Sequence, residues 1–166
     1  MTADKPTILL VEDNPSDCIV MGAALEAAGL NHSLQLVGDG EEAINYLAGE
    51  GEFADRLRFP FPRLVLLDLG LPKKTGFEVL EWIGQLPFPA QFDVVVISAS
   101  TAHEDLTRAY DLGARSFIVK PENPEALVEL VKPLDGYLHR RDGDILPLNP
   151  TIVAPLVEHA RASSGL

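Results

Sequence analysis

Short apolar runs alternate five times with segments of helical periodicity, and this alternation limits what the chain can fold into. The runs occupy residues 7–11, 33–37, 64–67, 93–97 and 115–119, and the run at 33–37 alternates apolar and polar residues, as a half-exposed edge strand does. Runs that are apolar throughout suit strands covered on both faces, and strands that alternate with helices are typical of parallel sheets. We therefore predict an α/β fold, a doubly wound five-stranded parallel sheet with helices on both faces.

Helix boundaries are marked by local signals. Asn14 followed by Pro15 indicates a helix start, because proline at the first helical position loses no hydrogen bond. The apolar pattern of this first helix predicts an inward face of Ile19, Val20, Ala23, Ala24 and Ala27. The last helix is predicted over residues 124–140, with a kink at Pro133.

The chain has 166 residues, enough for one domain with a sizeable core. Residues 1–141 account for the predicted fold, with a long loop insertion at 49–62 that carries Phe53, Phe59 and Phe61. The aromatics either contact a partner or fix the loop to the domain. We predict that residues 142–166 form a C-terminal arm or tail, which is too short to be a separate output domain.

Composition excludes several functions. The formal net charge is -12, and the scattered Lys and Arg residues form no basic segment, which argues against a nucleic-acid surface. No window reaches the length of a membrane span. The lone Cys18 allows no internal disulfide, and no signal segment precedes the first strand, so we expect a reduced, cytoplasmic compartment.

Polar side chains follow four of the predicted strands. Glu12 and Asp13 follow the first strand, Asp68 the third, Ser98 the fourth and Lys120 the fifth. The carboxyl ends of strands in a doubly wound sheet face one crevice. The sequence therefore predicts three carboxylates, a hydroxyl and an ammonium group in a single pocket.

This combination favours phosphoryl chemistry. Three crowded carboxylates repel one another, and a hard divalent cation relieves that repulsion. Mg²⁺ is the expected ion, with Mn²⁺ as the other candidate. Asp68 is then placed as a nucleophile that takes up a phosphoryl group, whose oxygens meet Ser98 and Lys120. Taken alone, Asp68 could instead cap its loop, and only the joint pattern favours chemistry.

Over residues 6–137 the sequence resembles the receiver domains of two-component response regulators. In that family an acidic pair follows the first strand, here Glu12 and Asp13, and an aspartate after the third strand accepts phosphate, here Asp68. Ser98 and Lys120 match the hydroxyl and lysine that follow the fourth and fifth strands.

The resemblance assigns three further roles. Pro121 corresponds to a proline joined to the lysine by a cis peptide bond, and Phe117 corresponds to the aromatic residue that switches position with Ser98 on phosphorylation. The backbone carbonyl of Gly70 corresponds to a metal ligand. The resemblance also implies a flavodoxin-like sheet with strand order 2-1-3-4-5.

The resemblance implies a function in signalling rather than as an enzyme acting on a separate substrate. A sensor histidine kinase would donate the phosphoryl group, and the segment LVEDNPSD with the long loop looks most like stand-alone receivers that serve phytochrome-like kinases. Output would pass by protein contact or phosphorelay, to an unknown downstream protein or through a homodimer.

Two alternatives stay open at this stage. A magnesium-dependent phosphatase of the haloacid-dehalogenase type also uses a strand-end aspartate, but it needs a second aspartate where Gly70 stands. A receiver-like or flavodoxin-like scaffold would work without phosphorylation, although the intact set of polar residues argues against it.

Overall fold

The computed structural model describes residues 5–87 and 90–139, and these form one five-stranded parallel sheet. The strand order is β2-β1-β3-β4-β5, as predicted. The strands are β1 Thr7–Val11, β2 Ser33–Val37, β3 Leu64–Leu67, β4 Asp93–Ser98 and β5 Ser116–Val119. The central strands β1, β3 and β4 are buried along their whole length, which explains their continuous apolar sequence.

In the part of the chain that the structure describes, six α-helices connect or follow the strands. They are α1 Pro15–Ala27, α2 Gly40–Ala48, α3 Gly76–Gly84, α4 His103–Asp111, α5 Pro124–Val131 and α6 Asp135–Leu138. Two 3₁₀ turns lie at Gly51–Ala54 and Lys132–Leu134. The single bent helix predicted over 124–140 is therefore divided, because Pro133 cannot donate a backbone hydrogen bond in the helix interior.

The sheet separates two halves of the core. Side chains of α2, α3 and α4 pack on one face, and those of α1, α5 and α6 pack on the other. Neighbouring residues of a strand therefore point into different halves, as Leu9 and Leu10 of β1 do. This covering of both faces confirms the predicted doubly wound architecture.

Side-chain caps fix where the helices start beside the strand ends. The Asn14 side chain accepts the Asp17 N–H at 3.1 Å at the start of α1. At the start of α3, Thr75 Oγ1 accepts the Glu78 N–H at 3.2 Å while Glu78 Oε2 accepts the Thr75 N–H at 2.7 Å. Such a reciprocal cap provides acceptors for backbone N–H groups that would otherwise lack a hydrogen-bond partner at the start of the helix.

The predicted inward face of α1 is wrong for most of its residues. Ile19 is 74% exposed and Val20 36% exposed, whereas Met21, Ala24 and Leu25 are buried. Apolar side chains surround the axis of this helix, so its periodicity does not single out one face. Packing against α5 selects the buried face, and an apolar strip stays in contact with solvent.

The insertion at 49–62 is folded against the domain. Phe53 is 7% exposed, and its ring lies 5.1 Å from the rings of both Tyr46 and Phe59. The Tyr46 hydroxyl donates to the Pro60 carbonyl at 2.6 Å. The aromatics therefore fix the loop to α2, and Leu57, which is 95% exposed, projects from its outer side.

Within the described residues, no helix is long and apolar enough to cross a membrane. The predicted arm at 142–166 lies outside the described residues.

Candidate functional site

The strand register brings the predicted site residues to one edge of the sheet. Val11 of β1 is level with Leu67 of β3, and the Asp68 N–H donates to the Val11 carbonyl at 3.1 Å. On the other side of β4, the Lys120 N–H donates to the Ser98 carbonyl at 2.8 Å. The ends of β1, β3, β4 and β5 therefore deliver their polar side chains to the same crevice, as predicted.

Lys120 is the centre of the site. Its ammonium nitrogen lies 2.7 Å from Glu12 Oε2, 2.8 Å from Asp68 Oδ2 and 3.0 Å from Asp17 Oδ2. The Lys120 side chain is only 22% exposed, and those of Glu12 and Asp68 are 5% and 13% exposed. A partly buried ammonium group thus offsets charges that would otherwise repel one another.

The pKa values of the three groups differ in direction. Burial raises the pKa of Glu12 to about 7, although its bond with Lys120 opposes the shift. Burial also works against ionised Asp68, but hydrogen bonds from Lys120 and from the Gly70 N–H outweigh it and lower its pKa. Burial alone would lower the pKa of Lys120, whereas its bonds with Asp68, Glu12 and Asp17 raise it. Asp68 is therefore ionised at neutral pH.

The acidic residues fit a divalent cation. Oxygen atoms of Glu12, Asp13 and Asp68 all lie within 4.8 Å of one another, and Asp13 is exposed on the open side. Carboxylate oxygens in this number suit Mg²⁺ or Mn²⁺, which retain water ligands in partly open sites. The predicted ligation by the Gly70 carbonyl stays a prediction, and the Gly70 N–H donates to Asp68 Oδ1 at 2.9 Å.

Close packing fixes the backbone that carries Asp68. A Cβ atom added to Gly76, the first residue of α3, would overlap the Asp68 carbonyl oxygen. A Cβ atom added to Gly40 of α2 would overlap the Lys74 carbonyl oxygen. Only glycine permits these approaches, so the loop after β3 is held between two helix starts.

Ser98 is connected to the start of α4. Its hydroxyl accepts the Ser100 N–H at 3.1 Å, and it is 5% exposed. The Ser100 hydroxyl in turn donates to Asp105 Oδ2 at 2.5 Å, so it is directed toward α4. A change in the position of Ser98 would therefore alter the hydrogen bonds at the start of α4.

Phe117 and Pro121 were both assigned by resemblance. Phe117 is fully buried in the half of the core that holds α2, α3 and α4, which is the inward position of the predicted switch residue. The prediction of a cis peptide bond before Pro121 is wrong, because the described residues contain no cis peptide bond. Trans is the lower-energy form of a bond to proline, and Lys120 reaches its three carboxylates in that form.

Two residues of α1 join the site without having been assigned a role in it. Asp17 is the third acceptor of Lys120, and its signal in the sequence is an acidic residue in the first turn of the helix that follows the acidic pair. Cys18 is half-buried, and its thiol lies 3.7 Å from the Glu12 carbonyl oxygen. Burial, together with the negative charge of Glu12, raises the pKa of Cys18.

A narrow cleft of about 50 Å³ opens beside the acidic residues, between α1 and α5. Glu12, Asp68 and Lys120 form its polar end, and Val20 and Leu127 contribute apolar walls. The apolar strip of α1 therefore adjoins the polar site.

Comparison with known proteins agrees with this geometry. The family model described as response regulator receiver domain matches residues 8–132. Response regulator Rcp1 of Synechocystis sp. is 35% identical over 78% of this chain and 86% of its own length.

Two solved structures show the same fold. The phosphorylated cyanobacterial phytochrome response regulator RcpA is 39% identical, with a TM-score of 0.73 over 87% of this chain and 99% of its own. The Mn²⁺-bound form of Rcp1 is 34% identical, with a TM-score of 0.71 over 87% and 99% of the two chains. The family match, the relatives and the clustered acidic residues agree, and this chain belongs to the response regulator receiver domain family.

Proposed function

We propose that the protein accepts a phosphoryl group on Asp68 from a sensor histidine kinase and signals through the resulting change in its surface. The observation that carries the proposal is the bond between Lys120 and Asp68 at 2.8 Å, beside the carboxylates of Glu12 and Asp13. Ionised Asp68 is the nucleophile, and Lys120 supplies a fixed positive charge next to it.

The transfer follows from these positions. An Asp68 carboxylate oxygen forms a bond to phosphorus while the bond between phosphorus and the kinase histidine nitrogen breaks, and the imidazole keeps that electron pair. Lys120 and Ser98 then donate hydrogen bonds to the phosphoryl oxygens. A bound Mg²⁺ or Mn²⁺, held by Glu12, Asp13 and Asp68, would offset the negative charge of the transferring group.

The surface beside the site suits a kinase partner. Ile19 and Val20 expose apolar side chains on α1, next to the cleft that leads to Asp68. A helical domain that delivers a phosphohistidine could cover this strip while its imidazole enters the site. The solved relative RcpA is described as a phytochrome response regulator, and this similarity supports a phytochrome-like sensor as the donor.

The proposed output is a change in protein contacts. Ser98, Ser100 and Asp105 connect the site to α4, and Phe117 lies beneath the same region. Self-association as a homodimer, contact with a downstream protein and phosphorelay are the routes that this surface could serve. The protein would catalyse only its own phosphorylation and dephosphorylation, in the cytoplasm, a compartment consistent with its single cysteine.

The test uses the purified chain with Mg²⁺ and acetyl phosphate. Attack by Asp68 releases acetate and leaves an acid-stable, base-labile phosphoryl adduct, which intact-mass measurement detects. We expect the adduct in the wild type and in Asp111→Asn, a matched change on the exposed end of α4, and none in Asp68→Asn. An adduct that persists in Asp68→Asn would contradict the assignment.

The scaffold alternative predicts a different result. No adduct on the wild type, with beryllofluoride and Mg²⁺ also leaving its sedimentation unchanged, would favour a receiver that works without phosphorylation. Lys120 argues against that alternative, since a partly buried ammonium bonded to three carboxylates has a clear use in binding a phosphoryl group.

A further inference from the structure

Asp17 occupies a place in the site that the proposed transfer does not use. It is the third residue of α1, and the cap by Asn14 fixes its backbone. Its carboxylate accepts a hydrogen bond from Lys120 at 3.0 Å. Asp17 is outside the group of carboxylates close enough to share a metal ion, so its partner in the site is the lysine.

The ammonium group of Lys120 has three protons, and each has an acceptor. Glu12, Asp17 and Asp68 take one hydrogen bond each. A phosphoryl oxygen on Asp68 can therefore gain a strong bond from Lys120 only if the ammonium turns away from an acceptor that it already has.

Of the two acceptors that remain carboxylates after the transfer, Glu12 and Asp17, Asp17 is the easier to release. Its side chain is 43% exposed, compared with 5% for Glu12. Water can take over the hydrogen bonds of an exposed carboxylate at little cost, whereas a buried one left without its partner is strongly disfavoured.

We propose that Asp17 is a positioning residue that holds the Lys120 ammonium on the α1 side of the unphosphorylated site and competes with the phosphoryl group for it. The inference rests on the proposed function and adds a determinant of how strongly this chain retains the phosphorylated state. Asp17 acts through Lys120, and it makes no bond to the phosphoryl group itself.

A simpler role for Asp17 is electrostatic stabilisation of the start of α1, since acidic residues favour helix N-termini. That role predicts a lower unfolding temperature when the charge is removed, and no change at Lys120. The two roles therefore differ in what happens to the ammonium group, which can be observed directly.

The experiment measures the affinity of beryllofluoride, which mimics a phosphoryl group on aspartate, at saturating Mg²⁺ by titration calorimetry. We expect Asp17→Asn to bind it about threefold to tenfold more tightly, because the neutral amide competes less for Lys120. Asp17→Glu keeps the charge and should stay near the wild type. Glu26→Gln, the same chemical change on an exposed residue at the far end of α1, is the matched control.

A second measurement follows the ammonium itself. In protein labelled with ¹⁵N-lysine, the Lys120 ammonium signal is assigned by its loss in Lys120→Arg, and its proton exchange with water is recorded without beryllofluoride. We expect faster exchange in Asp17→Asn than in the wild type or Glu26→Gln.

The outcomes are separable. Unchanged or weaker beryllofluoride binding by Asp17→Asn overturns the inference, and so does an unchanged Lys120 exchange rate, since direct repulsion of the anion would then explain any gain in affinity. If the wild type itself bound no beryllofluoride and formed no adduct, the proposed function would fail and this inference with it.

Discussion

At the scale of single residues, the site is defined by how one ammonium group is shared among acids. Lys120 donates hydrogen bonds to the proposed nucleophile Asp68 and to Glu12 at similar distances, 2.8 and 2.7 Å. The pKa values of these two carboxylates nevertheless shift in opposite directions. The Gly70 N–H and Lys120 keep Asp68 ionised, whereas burial raises the pKa of Glu12 to about 7. Glu12 therefore carries a proton over a range in which Asp68 carries none.

This difference predicts a pH dependence of metal binding. The ordinary pKa of Glu12 is 4.5, and burial raises it here to about 7. Between these two pH values a metal ion must therefore displace a proton from Glu12. We expect Mn²⁺ affinity to rise by up to about tenfold per pH unit up to pH 7 and to level off above it. Electron paramagnetic resonance of free Mn²⁺ measures this directly.

The control is Glu12→Gln, which removes the titrating group. It should bind Mn²⁺ more weakly at pH 8 and show a flatter profile between pH 5.5 and 7.5. A profile as steep as that of the wild type would assign the proton to another residue.

Folding stability depends on pH in the opposite direction to metal affinity. Because the pKa of Glu12 is raised in the folded state, the contribution of this group to stability falls between pH 4.5 and 7 and stays constant above pH 7.

At the scale of elements, the insertion behaves as part of the core. Phe53 and Phe59 pack with Tyr46 of α2, and Arg56 donates to the Leu47 carbonyl at 3.1 Å. Of the two interpretations of its aromatics, the structure supports the one in which they fix the loop to the domain.

The insertion should therefore contribute to stability unevenly. We expect Phe53→Ala to lower the free energy of unfolding by about 3 kcal/mol, because it leaves a cavity among aromatic rings. Leu57→Ala, in the same insertion but 95% exposed, should change it by less than about 0.5 kcal/mol. Urea unfolding followed by circular dichroism compares the two. Equal small losses would show that the loop packs only loosely.

The strands were predictable because short, mostly apolar runs alternate with helical segments, whereas the order of the strands was implied by the resemblance to the receiver family. Strand register likewise brings the ends of β3, β4 and β5, which carry Asp68, Ser98 and Lys120, to one edge of the sheet. The buried face of α1 was not predictable, because apolar residues surround that helix and only contact with α5 chooses among them. Asp17 was missed because it lies on α1 and not at a strand end, so strand register does not place it beside Lys120.

At the scale of the whole molecule, net charge opposes self-association, whereas exposed apolar side chains favour it. A net charge of -12 makes copies of the chain repel one another, so self-association needs an apolar contact to offset it. The predicted arm contains a group of large apolar side chains, namely Ile145, Leu146, Leu148, Ile152, Val153, Leu156 and Val157.

Deletion of residues 142–166 tests this balance. We expect the full chain to sediment as a dimer and the truncated chain as a monomer, because the deletion removes the apolar residues while the domain keeps its acidic surface. Raising the salt concentration from about 0.1 to about 0.5 M should strengthen the dimer by screening repulsion. An unchanged sedimentation mass after truncation would remove the arm from the interface.

The half-buried thiol beside the acidic pair has a practical consequence for spectroscopy. Cys18 is the single cysteine of the chain, and its raised pKa keeps it in the slowly reacting protonated form at neutral pH. A second cysteine placed at an exposed position such as Leu57 would therefore take up a maleimide dye first, without removal of the native one. The distance from such a dye to a labelled partner could then be followed by energy transfer while the site itself stays unmodified.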